Sequence, residues 1–114
     1  MIRRLFPAVL IAALCPVFAG PARSQPMRDG EICLEGSGRA HLDEAYCRRA
    51  LSISDLPVAQ RAALLTARAS ALARLGDPRA AETALGQALA LNPNSAQAHL
   101  LRGLIRRGRG DVPI

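Results

Sequence analysis

The chain has 114 residues, half of them apolar, which suits one small domain. All fifteen of its basic residues are arginines, giving a formal charge of +6, but three of these arginines lie in the first 23 residues and only about +3 remains beyond them. That modest charge, with Tyr46 the single aromatic side chain after residue 24, argues against base stacking and a strong phosphate attraction. No nucleic-acid partner is expected.

Residues 1–24 read as a signal peptide. Arg3-Arg4 make a charged start, Leu5 to Phe18 an apolar core, and Ala19, Gly20 and Ala22 supply the small residues a peptidase needs. Val17-Phe18-Ala19 and Ala22-Arg23-Ser24 are alternative cleavage triplets, placing the cut within about residues 19–24. The apolar run spans 14 residues and holds Pro7 and Pro16, whereas a spanning helix needs about 20. The alternative is an uncleaved anchor. Cleavage leaves a soluble periplasmic or secreted chain with no stable membrane insertion.

Residues 25–41 are rich in glycine, polar and charged groups and read as an irregular segment. A short helix follows from about Leu42 to Ser52. Cys33 and Cys47 are the two cysteines beyond the signal segment, an even number in an oxidising compartment, and a Cys33–Cys47 disulfide is predicted. Closing that loop stabilises the fold by about 3 kcal/mol in the chain-entropy account. Two free, buried thiols are the alternative.

The next helix runs from Pro57 to Leu75, with Ser54 or Asp55 as its cap. Val58, Ala62, Leu65, Ala69 and Leu72 recur at spacings of three and four, which puts them on one buried face. Gly76 supplies the positive φ that stops this helix. Asp77 caps the following one and Pro78 fits its first turn. Its buried stripe is Ala81, Leu85 and Ala88, flanked by Ala84 and Leu89. Asn92-Pro93 ends it, because proline disfavours helical backbone in the residue before it. Asn94-Ser95 caps a last helix from Ala96 to about Arg107, and residues 110–114 form a tail.

Gly76-Asp77 returns 34 residues later as Gly110-Asp111, and Leu64/Ala98, Arg68/Arg102 and Ala69/Gly103 keep the same spacing. That period is the signature of a stacked helical hairpin, and the chain resembles the tetratricopeptide repeat family. Ala69, Ala81 and Ala88 stand at the family's small-residue places and Pro93 at its helix-ending proline. Leu65, Leu72 and Leu85 take places the family gives to aromatic residues. The resemblance implies an all-α fold, antiparallel helix hairpins stacked as a short solenoid over residues 42–109. The run from Leu42 to Leu51 resembles the second helix of a degenerate preceding repeat. It is similar to the start of small exported tetratricopeptide proteins of Gram-negative bacteria, where a cysteine-bearing helix precedes the first clear repeat.

The resemblance implies a scaffold that binds a protein or peptide in a concave groove lined by the first helix of each repeat. Carried over place by place, the groove residues are Ala63, Thr66, Ser70, Ala73 and Arg74 on one helix and Gln97, Leu100, Leu104 and Arg107 on the next. Arg74 and Arg107 suit the carboxylates of an acidic peptide. Ala67 and Leu101 stand where carboxylate-clamping relatives have asparagine, which disfavours that mode of recognition. Leu100, Leu101, Leu104 and Ile105 also offer a surface for self-association or for completing a larger envelope assembly.

No catalytic constellation, cofactor or metal is expected. His41 and His99 stand on separate segments, and there is no Cys-x-x-Cys pair, phosphate loop or nucleophile elbow. The acids after His41 fit the start of a helix, whose dipole favours negative charge there.

Overall fold

The structure is a computed structural model and describes residues 25–110, apart from the side chain of Pro26. The proposed signal segment 1–24 and nearly all of the tail lie outside the described residues. The described chain is all α, five helices joined by short turns: α1 Gln25–Glu35, α2 Ala40–Ala50, α3 Val58–Arg74, α4 Pro78–Leu91 and α5 Ala96–Gly108. Successive helices pack against one another, and α3 also touches α1 and α5. The central helix therefore meets all four others, as the middle rod of a stacked helical-repeat fold does.

Alanine decides how closely these rods approach. Ala69 on α3 and Ala81, Ala84 and Leu85 on α4 belong to one buried cluster, and Ala69, Ala81 and Leu85 have no exposed surface at all. Methyl-sized side chains on both helices leave room for Leu85 to fill the gap between them. Ala98 and Ile105 of α5 join the same cluster, so the second hairpin begins against the first.

α3 is buried on two faces where periodicity reads only one. Ala62, Leu65 and Ala69 turn to one side, while Leu64 meets Cys33, Cys47 and Ala50 on the other. Val58, expected in the buried stripe, is 59% exposed because it stands on the first residue of the helix. Leu72 is only half-buried.

The turns follow the local chemistry, with one correction. Gly76 takes φ +84°, and Asp77 accepts a hydrogen bond from the Ala80 N–H at 3.1 Å. Ser95 does the same for Ala98 at 3.2 Å. Neither Ser54 nor Asp55 caps α3; Pro57 occupies that place and no side chain bonds the helix start. The turn before it is held instead by Arg61, whose guanidinium donates to the carbonyls of Leu51 at 3.2 Å and Ile53 at 2.5 Å.

Residues 25–41 are not irregular: most of them form α1. The residues this helix buries are Asp29, Gly30 and Cys33, one charged, one without a side chain and one small. Such a face carries no hydrophobic periodicity, which is why its composition reads as a loop. Gly30 allows α1 to lie close to its neighbours, since a Cβ placed there would stand 3.7 Å from Ala50 Cβ and 3.9 Å from Leu64 Cδ2. The Cys33 and Cys47 sulfurs are 2.02 Å apart and join α1 to α2 as a disulfide.

Candidate functional site

The first helices of the successive pairs, α1, α3 and α5, are neighbours, and the face shared by α3 and α5 is the candidate site. On α3 it is built from small residues: Ala63 is exposed, and Ser70 and Ala73 are half-buried. On α5 the large residue on this face is Leu104, 52% exposed; Gln97 is exposed, and Leu100, 65% exposed, and Arg107 line a separate depression with no residue of α3. Ala73, Leu101, Leu104 and Gly108 line one open groove of about 410 Å³ that ends at the Gly76–Pro78 turn.

Two of the expected groove residues are assigned elsewhere. Thr66 is buried, and its hydroxyl donates to the Ala62 carbonyl one turn back at 3.0 Å, so it offers nothing to a ligand. Arg74 donates to Asp43 Oδ2 of α2 at 3.1 Å, which makes it a brace between helices. Ser70, Gln97 and Arg107 remain at the surface.

Asp43 is almost wholly buried and needs that arginine. It also accepts from the backbone N–H and the hydroxyl of Ser37, each at 2.6 Å, which ties down the turn between α1 and α2. The Ser37 hydroxyl, the Ser37 N–H and Arg74 together hold its carboxyl below the usual carboxylate range, outweighing the opposing effect of burial. Asp29, also buried, pairs with Arg49 at 3.3 Å and accepts from Gln25 at 3.2 Å. The run after His41 is thus no acid–base cluster: His41 is exposed, Asp43 faces Ser37 and Arg74, and Glu44 pairs with Arg68 at 3.0 Å. Among the described residues no three potential ligands gather around a metal-sized space, and no helix is long and apolar enough to cross a membrane.

Arginines outnumber acids on this side of the molecule. From Thr83 to Gly110 there are four arginines and no acid. Glu82 engages two of them, Arg106 at 3.1 Å and Arg109 more closely. Arg102 stands 3.3 Å from His99 Nδ1, and Arg107 makes no ion pair among the described residues.

The backbone repeats as well as the side chains. Gly76 donates to the Ala73 carbonyl at 3.0 Å, and 34 residues on Gly110 donates to the Arg107 carbonyl at 3.0 Å, both with φ near +80°. Residues 62–105 match the family model of the tetratricopeptide repeat. The match covers most of α3, the whole of α4 and α5 as far as Ile105. No curated protein and no solved structure matches the chain.

The expected site left out His99 and Gly103, which line a shallow depression on α5 together with Leu100, Leu104 and Arg107. The 34-residue register itself carried the signal. The counterparts of His99 and Gly103 on α3 are Leu65 and Ala69, both buried, whereas His99 and Gly103 are exposed.

Proposed function

We propose that the protein is a non-enzymatic interaction scaffold that binds a protein or peptide on the face shared by α3 and α5, and that it works in the periplasm of a Gram-negative bacterium. The observation that carries the first part is the tetratricopeptide match over 62–105 together with the open groove between α3 and α5, where half-exposed Leu104 and Leu101 stand beside the small residue Ala73. Repeats of this kind build binding surfaces from the helices that line one side of the stack. Large apolar side chains left in water beside a shelf of small ones form a seat for another chain's side chains.

The location rests on the signal-like segment 1–24 and on the Cys33–Cys47 bridge, since disulfides persist in oxidising compartments. A second reading, a structural subunit that assembles through α5, is favoured by the exposure of Leu100 and Leu104.

Both parts are open to one set of samples. The exported chain, purified from the periplasm, should begin within about residues 20–25 by intact mass and be two hydrogens lighter than its reduced form. Used as bait in envelope extract, it should retain the same protein reproducibly, and Ser70→Trp, which fills the α3 shelf, should lose it. A cytoplasmic chain carrying residues 1–24 would refute the location. A partner retained equally by Ser70→Trp would refute the surface.

A further inference from the structure

The open side of α5 repeats, 34 residues on, the seat in which α4 lies on α3. There α4 packs over Leu65 and Ala69. On α5 the matching residues are His99 and Gly103, and together with Leu100, Leu104 and Arg107 they line a depression of about 310 Å³. Gly103 is exposed, and a Cβ added there would meet nothing within 4 Å. A helix can therefore approach this rod as closely as α4 approaches α3, with Leu100 and Leu104 as its apolar contacts.

The charge around the depression selects what that helix is. No acid occurs between Thr83 and Gly110, and Arg107 has no ion-pair partner among the described residues. A second copy of the chain would bring this patch against itself, arginine facing arginine, which opposes association. A flat bilayer would leave the notch at Gly103 unfilled. We propose that an amphipathic helix of another protein docks in this depression on α5. That helix places aliphatic side chains over Gly103, between Leu100 and Leu104, and carboxylates opposite Arg107. The inference rests on the scaffold reading and moves its contact from the α3–α5 groove to the outer side of α5.

The test is selection of a display library of helix-forming 20-residue peptides on the purified full chain, followed by binding measurements with the selected peptides. The expected peptides carry leucine-type residues three and four apart with an excess of glutamate and aspartate. They should bind at least about tenfold more weakly to Leu100→Asp and to Arg107→Glu, and more weakly as salt rises. Gly103→Trp, which fills the notch from an open position, should melt like the parent and lose the peptides.

Selected peptides without acidic excess, or peptides indifferent to Gly103→Trp, would overturn the inference. Peptides lost on Ser70→Trp but kept by Gly103→Trp would overturn it while leaving the scaffold reading intact. A library that yields no binder would count against both. A stable dimer in light scattering, abolished by Leu100→Asp, or binding to phosphatidylglycerol vesicles that the peptides do not compete with, would assign the surface to a second copy or to a membrane and likewise overturn it.

Discussion

Arg74 of α3 donates to Asp43 of α2 at 3.1 Å, and the same carboxylate holds Ser37 by two further hydrogen bonds. One nearly buried acid thus fastens the α1–α2 turn and the C-terminal end of α3 together. A groove arginine, as Arg74 first reads, would point its charge at a ligand. Here the charge is used within the fold.

Asp43→Asn should destabilise the protein by about 2 kcal/mol, since it weakens several charge-assisted hydrogen bonds at a buried site while Arg74 stays half in water. In a domain of this size each kcal/mol moves the melting temperature by about 4–8 °C, so calorimetry reads the change directly. The pH dependence follows from the sign of the shift. Asp43 is held below its ordinary value of 3.8, so its contribution is complete above that value and is lost as pH falls through the lower, folded one. Asp43→Asn should flatten the acid side of the stability profile and leave neutral pH and above displaced by a constant amount.

Replacing Cys33 and Cys47 together by serine should cost about 3 kcal/mol and loosen α1 first. α1 buries little besides Asp29, Gly30 and Cys33, and the bridge with the Asp29–Arg49 pair joins it to α2. Hydrogen exchange should show α1 amides losing protection while α4 keeps its own; equal loss in both would contradict this.

Gly30→Ala is expected to be neutral or to stabilise by up to about 1 kcal/mol. The added methyl meets Ala50 and Leu64 at ordinary contact distances of 3.7 and 3.9 Å, and alanine is the better helix former. Gly30→Leu has no such room and should lower the melting temperature by displacing α1.

Gly76→Ala should cost about 1 kcal/mol, because the residue sits at φ +84° and alanine is strained there whatever the space around it. Gly86→Ala, in the exposed face of α4 with nothing near its Cβ, should instead stabilise. Opposite signs for these two substitutions in denaturant melts would separate backbone conformation from packing.

Much of the repeat was legible because its rules are local. Gly76, Asp77, Pro78, Pro93 and Ser95 mark helix ends through backbone chemistry that needs no partner, and the stripe Ala81–Leu85–Ala88 shows itself by spacing alone. α1 was not legible, because a helix that buries an aspartate, a glycine and a cysteine has no apolar rhythm. Thr66 and Arg74 were misplaced for a different reason. Their residue types fit a groove, and only the packing shows that one hydroxyl turns into its own helix and one guanidinium turns toward α2. The second buried face of α3, at Leu64, belongs to the same class, since being the middle rod is a property of the stack.

The most direct measurement is the thermal unfolding of Ala81→Phe, at a position with no exposed surface between α3 and α4. Close approach of these two helices through alanine predicts a loss of several kcal/mol, with the cooperative transition broadened or abolished, because the larger ring cannot enter without parting the rods. A variant that melts as sharply and as high as its parent would contradict the stacking, and with it every surface built on α3 and α5.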